Sequence, residues 1–255
     1  MSAPRALSRM VLLRVFLRSL FLQAAWNPQG MQNLGLAYAV YPALKALYPE
    51  PAQQALAVRR HLAFFNTHPY VAAAIVGGVL FHEERIARGE ESPELVVKFK
   101  SALMGPLAAL GDGFFWLSLK PAAGAVCAAL VPWMGAWAAV LFLVLYNLVH
   151  LTFRARLYFL GLKLGDQLVG AVGRANLPAR GARLRALAAA SAGGLAAWLA
   201  IDFGKKMGGI GGGSLLAGVC LAMGVLAYFL VVKRIPNYVV LYSAAILAGA
   251  AGAFL

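Results

Sequence analysis

Hydrophobic and polar positions divide the chain into two halves of different character. The second half is the more regular. Apolar runs occupy 122–152, 186–203, 214–232 and 237–255. Each is near or above the roughly 20 residues that a helix needs to cross a bilayer core. The first is long for one span, and Pro132 is placed to divide or bend it. The last carries Gly249-Ala250-Ala251-Gly252-Ala253, small residues that let helices approach closely.

The first half is interrupted. Residues 61–81 and 101–119 are apolar enough to enter a membrane. The first contains Asn66-Thr67-His68-Pro69, and the second Gly105-Pro106 and Gly111-Asp112-Gly113. Proline removes a backbone donor and disfavours helix at the residue before it. Irregular backbone at membrane depth survives only when buried in protein or lining a wet cavity. A pair of such segments points to a transporter's substrate site. Upstream, Arg9, Arg14 and Arg18 punctuate an apolar stretch over 10–22, and Arg14 and Arg18 share one helix face. That pattern suits a basic amphipathic helix on a membrane surface, and equally a packed helix with a solvated edge.

The predicted fold is an all-α integral membrane protein, with about four clean transmembrane helices plus two broken or re-entrant helices. It forms a single membrane domain: an amphipathic N-terminal region over 1–60, a broken-helix substrate region over 61–121, and transmembrane helices over 122–255.

Composition excludes the alternatives. Apolar residues make up 62% of the 255 positions and charged residues 13%, against about 25% charged in a soluble domain. A soluble enzyme and a disordered chain are both ruled out. The net charge of +14 could suggest nucleic acid. The basic residues flank apolar runs, however, and form no single basic face, so no nucleic-acid partner is expected. The 153–185 connection carries Arg154, Arg156, Lys163, Arg174, Arg180, Arg183 and Arg185 against Asp166. With Lys233 and Arg234 in the 233–236 link, it is predicted to be cytoplasmic. The glycine-rich 204–213 turn would then be external, and the C-terminus outside. Cys127 and Cys220 each stand alone in an apolar run, so neither a disulfide framework nor a zinc site is indicated. No metal or cofactor is expected.

Polar side chains within membrane segments are costly and mark functional positions. They are Asn66, Thr67 and His68 at the first interruption and Asp112 at the second. Asn147 and His150 lie late in the long run. Gln23, Asn27, Gln32 and Asn33 surround Trp26. A sugar site needs amides and carboxylates for hydroxyls and an aromatic face for the ring. Asn66, Gln32, Asn33, Asp112 and Trp26 are of those types. Asn66 and Asp112 equally suit backbone capping at a helix break, and Trp26 an interfacial anchor. Glu83 and Glu84 close the first interrupted segment. One of such a pair can have a raised pKa and act as a base; alternatively, the pair forms a solvated helix end with Arg85 or Arg88. No Walker, Gly-x-Ser-x-Gly or His-Glu-x-x-His motif is present.

Several ordered motifs go further. Phe16-x-Arg18-Ser19-x-x-x-Gln23-x-x-Trp26-Asn27 precedes Met31-Gln32-Asn33-x-Gly35-x-x-Tyr38. Arg60-His61, Phe64-Phe65-Asn66-Thr67-His68-Pro69-Tyr70 and Glu83-Glu84 follow. Then come Leu103-Met104-Gly105-Pro106-Leu107-Ala108, Gly111-Asp112 and Phe115-Trp116. This series, over about 16–121, resembles the IID component of the mannose/fructose/sorbose family of the bacterial phosphotransferase system (PTS).

The resemblance implies a sugar-path subunit of the bacterial inner membrane. It would pair with a IIC membrane subunit, and such pairs would assemble as a trimer of IIC–IID heterodimers. Cytoplasmic IIB, charged by IIA, would phosphorylate the incoming hexose or amino sugar. IID itself would be non-catalytic, with no phosphorylated residue. The implied substrate-binding residues are Asn66, Thr67, His68, Gln32, Asn33, Asp112 and Trp26. Gln23, Asn27, Pro69, Gly105, Pro106, Gly111, Glu83 and Glu84 would shape the site. Two departures stand out: Ala109 where the family usually has Gly, and Lys120 where it usually has Arg. They raise the alternative of a regulatory or sensory subunit that assembles with IIC but moves no sugar.

Overall fold

The computed structural model describes residues 7–208 continuously, together with isolated positions beyond them. The expected spans 214–232 and 237–255, and the orientation of the C-terminus, fall largely outside the described residues. The chain divides at Ala189–Ala190 into two compact units, and the site lies in the first.

Among the described residues the elements are helices. Ser8 caps α1 (Arg9–Ser19), its Oγ accepting the Val11 N–H at 3.3 Å. The next helices are α2 (Asn33–Leu47), α3 (Pro51–His61) and α4 (Ala72–Ala87). Pro51 stands in the first turn of α3, where its missing N–H would be unpaired anyway. Leu36, Val40, Ala43 and Leu44 of α2 join Ile75, Val76, Val79 and Leu80 of α4 in one hydrophobic core.

The first expected interruption is present: residues 62–71 form no helix between α3 and α4. The second takes another form, which corrects the expectation of a broken or re-entrant helix there. Helix α5 (Pro93–Gly111) runs straight through Gly105-Pro106. A π-helical stretch, Asp112–Leu119, then leads without a break into α6 (Lys120–Met134). The physical reason lies in the hydrogen-bond register. A π turn bonds residue i to i−5, so it absorbs a defect by widening rather than stopping the helix. Ser118 Oγ donates to the Gly113 carbonyl five residues earlier at 2.7 Å, and the Lys120 N–H donates to the Phe115 carbonyl. Pro121, which has no N–H to offer, follows directly.

The long apolar run divides as its proline suggested. Helix α6 ends at Met134, Gly135 turns at a φ of 53°, and α7 (Trp137–Leu164) begins. A residue with a side chain is disfavoured at that positive φ. The 153–185 segment differs from the expected connection: α7 continues to Leu164, followed by α8 (Leu168–Arg174) and α9 (Leu177–Gly208). The predicted turn over 204–213 is likewise helical through Gly208. Arg154 is therefore a helix residue, and it is only 6% exposed. The stretches Pro93–Met134 and Trp137–Lys206 are long and apolar enough to cross a membrane.

Helix α4 packs most extensively against α7. A Cβ built at Gly77 would lie 2.1 Å from the Tyr158 carbonyl oxygen, and one at Gly161 would lie 2.1 Å from that of Ala74. The two backbones touch through reciprocal glycines, as small residues permit in membrane helices.

Candidate functional site

The 62–71 segment is held by amides of the N-terminal region. Gln32 Nε2 donates to the Thr67 carbonyl at 2.8 Å, while Gln32 Oε1 accepts the Thr67 N–H at 3.1 Å. Its side chain thus replaces the neighbouring peptide of a strand. The Gln32 N–H donates to the Phe65 carbonyl, and the Phe65 N–H to the Gly30 carbonyl. Asn33 Nδ2 donates to the Leu62 carbonyl at 2.7 Å, and Asn33 Oδ1 accepts Asn27 Nδ2 at 2.9 Å. Asn27 Oδ1 accepts the Gly30 N–H at 2.8 Å. Asn27, Gly30, Asn33, Leu62 and Phe64 line an open cleft of about 520 Å³. Asn66 is exposed, while Thr67, His68 and Pro69 are buried. Gln23 and Trp26 are exposed as well, Trp26 by 53%.

The His68 ring is enclosed by aromatic groups. Phe115 stacks on it at 5.2 Å, and Trp116 and Tyr70 lie at 4.8 and 5.0 Å. A Cβ at Gly111 would come within 2.4 Å of the His68 Cβ, so only glycine fits there. His68 Nδ1 accepts the Tyr70 N–H at 3.2 Å, which places the proton of the neutral ring on Nε2. Asp112 is half-buried at the start of the π stretch. Gly105 and Pro106 are exposed, and a Cβ at Gly105 would meet nothing within 4 Å. Of the glycines and proline in the second motif, Gly111 is the one in contact with His68.

Tyr70 links this ring to α7. His150 stacks on Tyr70 at 4.4 Å with an interplanar angle of 8°. The Tyr146 hydroxyl donates to the Tyr70 hydroxyl at 3.5 Å. The Arg154 guanidinium lies 5.6 Å from the Tyr70 ring centroid, and Arg154 Nη2 donates to the Ser19 carbonyl at the end of α1 at 2.8 Å. Four buried polar atoms of this centre have no hydrogen-bond partner among the described residues: Thr67 Oγ1, His68 Nε2, His150 Nδ1 and Arg154 Nε. Tyr70, Tyr146 and Arg154 were not among the residues predicted for the site. A signal existed in the sequence: Tyr146, His150, Arg154 and Tyr158 recur every four residues, one stripe along a helix.

A second polar centre sits where α3 leads into the segment. Glu83 is fully buried. Its Oε1 accepts Arg60 Nε at 2.7 Å and His61 Nε2 at 2.8 Å. Its Oε2 accepts Arg60 Nη2 at 2.8 Å and the Tyr48 hydroxyl at 2.7 Å. Lys100 Nζ donates to the Arg60 carbonyl at 2.7 Å. Burial by itself would raise the Glu83 pKa, but the hydrogen bonds from Arg60 and His61 outweigh it and bring the pKa down to about 2. Burial lowers the His61 pKa, which keeps the ring neutral and its Nε2–H a donor. Neither alternative holds for Glu83, which is buried with a lowered pKa, whereas the helix-end reading fits Glu84. Glu84 does meet Arg88, at 3.8 Å, and its Oε1 also accepts the Leu7 N–H at 2.8 Å. Arg85 pairs instead with Glu90 and Glu91.

Known proteins share this architecture. Residues 6–211 match the family model described as PTS system mannose/fructose/sorbose family IID component. The chain is 43% identical over 142 residues to the mannose-specific EIID component of Escherichia coli (strain K12), an alignment covering 55% of this chain and 50% of that protein. It is 36% identical over 163 residues to the sorbose-specific EIID component of Klebsiella pneumoniae, covering 64% and 60%. It is 33% identical over 166 residues to the fructose permease IID component of Bacillus subtilis (strain 168), covering 65% and 59%. The matched region therefore spans 50 to 60% of the length of these relatives. A solved chain from a complex of the mannose transporter ManYZ with microcin E492 aligns with a TM-score of 0.61 at 27% identity, covering 98% of this chain and 97% of that one. Another, described as a membrane protein, aligns with a TM-score of 0.72 at 28% identity, covering 98% of both. The family match spans most of the sequence, and it includes the braced 62–71 segment, the π stretch and the long helix behind them. On that basis this chain belongs to the IID components of the mannose/fructose/sorbose PTS family.

Proposed function

We propose that the chain is the IID half of a sugar permease, forming with a IIC subunit the membrane path for a hexose or amino sugar. The supporting observation is the polar centre at Thr67–His68. It is buried, lined by aromatic rings, and retains unpaired hydrogen-bonding atoms beside the exposed Asn66. Buried polar groups are normally paired, so unpaired ones fit a site completed by ligand, water or a partner subunit.

In this reading Asn66 and Thr67 offer groups that both donate and accept, matching sugar hydroxyls. His68 Nε2–H adds a donor. The amides of Gln32, Asn33 and Asn27 hold the segment in shape, since their hydrogen bonds go largely to protein. Gly111 makes room for the His68 ring, Pro69 keeps the segment out of helix, and Asp112 and Trp26 border the path. Residues of IIC complete it, and phospho-IIB receives the sugar at the cytoplasmic face. The protein spans the inner membrane several times, with two spans drawn from Pro93–Met134 and Trp137–Lys206 and the C-terminus outside.

The test is uptake of radiolabelled mannose, fructose, sorbose and glucosamine by cells that express the cognate IIA, IIB and IIC. Uptake as sugar phosphate should depend on this chain. Asn66→Ala should lower it about tenfold or more, with the IIC complex intact on a native gel. Wild-type uptake in that variant would remove Asn66 from the path. No uptake of any sugar, with the complex intact, would favour the sensory alternative.

A further inference from the structure

We infer that His150 and Arg154 of α7 are positioning residues for His68, acting through the ring and backbone of Tyr70. The inference rests on the reading that His68 faces the sugar. It adds a residue chain that neither the motifs nor the family description includes.

The chain of contacts begins at α1. Arg154 Nη2 is anchored on the Ser19 carbonyl, one of the last carbonyls of that helix, where a cation is favoured. The guanidinium lies over one part of the Tyr70 surroundings, and the His150 ring stacks nearly parallel on Tyr70. Asn147 Oδ1 meets His150 Nε2 at 3.0 Å, and Asn147 Nδ2 donates to the Leu143 carbonyl. The amide is thereby oriented, and the His150 ring with it. Tyr70 also meets Phe115 edge-on at 5.0 Å, which closes the other side. With its ring fixed on these sides, Tyr70 presents its N–H to His68 Nδ1. That bond selects the tautomer and directs Nε2–H away from Tyr70.

A packing role alone explains this poorly. Among the described residues no carboxylate pairs with Arg154, and a guanidinium buried without a counter-ion is costly. A methionine or leucine would fill comparable space without that cost. The planar, hydrogen-bonded fork supplies orientation, which an apolar side chain does not.

The experiment measures sugar uptake kinetics in membranes that contain the complete complex, together with the amount of assembled IIC–IID. His150→Ala and Arg154→Met should each raise KM about tenfold, with Vmax per assembled complex within about twofold. His150→Phe keeps the stacked ring and should stay near the wild-type KM. Arg154→Lys keeps the charge without the planar fork, and should follow the Met variant. A wild-type KM in His150→Ala, or in Arg154→Lys, overturns the inference. So does a loss of Vmax that only tracks lost assembly. His68→Gln separates the two levels: an unchanged KM there defeats the reading of His68 itself. A raised KM there beside wild-type values in the α7 variants defeats only the inference.

Discussion

The two polar centres at either end of the 62–71 segment use similar residue types to opposite ends. Around Glu83, a carboxylate, a guanidinium, an imidazole and a phenol satisfy one another almost completely, with His61 Nδ1 left over. Around His68, aromatic faces dominate and four polar atoms stay unpaired. The first centre resembles a weld between α3 and α4. The second keeps hydrogen-bonding capacity in reserve. A saturated network resists change because breaking any member strands another, whereas an unsaturated one can accept a ligand. Burial and charge alone do not distinguish a functional site from a structural one. The larger number of unspent donors and acceptors is what marks the His68 centre as the candidate site.

The largest expected effect tests the weld. Glu83→Ala leaves half-buried Arg60 and fully buried His61 without their carboxylate and should destabilise the purified protein by about 3 kcal/mol, read as a lower midpoint of thermal unfolding. An unchanged midpoint would erase the contrast between the centres. Gly111→Ala attacks the other one. The new methyl would overlap His68, costing about 1–3 kcal/mol of stability. Uptake should fall further than assembly does. Equal losses would mean that the His68 position matters only for folding.

Acid sharpens the comparison further. The folded-state pKa of Glu83 is depressed, so its stabilisation is complete above about 4.5 and is lost as the pH falls toward about 2. Within that window the complex should lose about 1 kcal/mol per pH unit from this group. Glu83→Gln should remove that component of the slope. The smallest effect is expected at Gly105→Ala. Its Cβ would meet no neighbour, so the helix should gain about 0.5–1 kcal/mol in the isolated subunit. Lost assembly in that variant would place the IIC subunit on this face.

Much of the fold was legible because apolar run length and proline position act locally. The division after Pro132 is such a case. The π stretch was not legible: Gly111-Asp112-Gly113 and Pro121 signal a disturbed helix, but not whether it stops or widens. That choice depends on hydrogen-bond register, which residue types do not encode. Arg154 was misread because basic residues usually mark membrane-segment ends, while its helix continues to Leu164. The Asn-Thr-His-Pro motif did mark a real interruption between helices. The use of Gln32 was hidden, because matching a side-chain amide to a distant peptide requires the fold. The Glu83 centre was also hidden, since Tyr48 after α2, Arg60 of α3 and Lys100 of α5 are brought to it from separate parts of the chain.

The reciprocal glycines of α4 and α7 carry a mechanical consequence. Where Gly77 and Gly161 are each seated against the opposing main chain, no side chain lies between the helices to act as a bearing. Sliding would drive backbone into backbone. The two helices would therefore move as one strut in any rearrangement of this unit. Tyr70 just before α4 and His150 on α7 would ride on that strut together, keeping their stacked spacing.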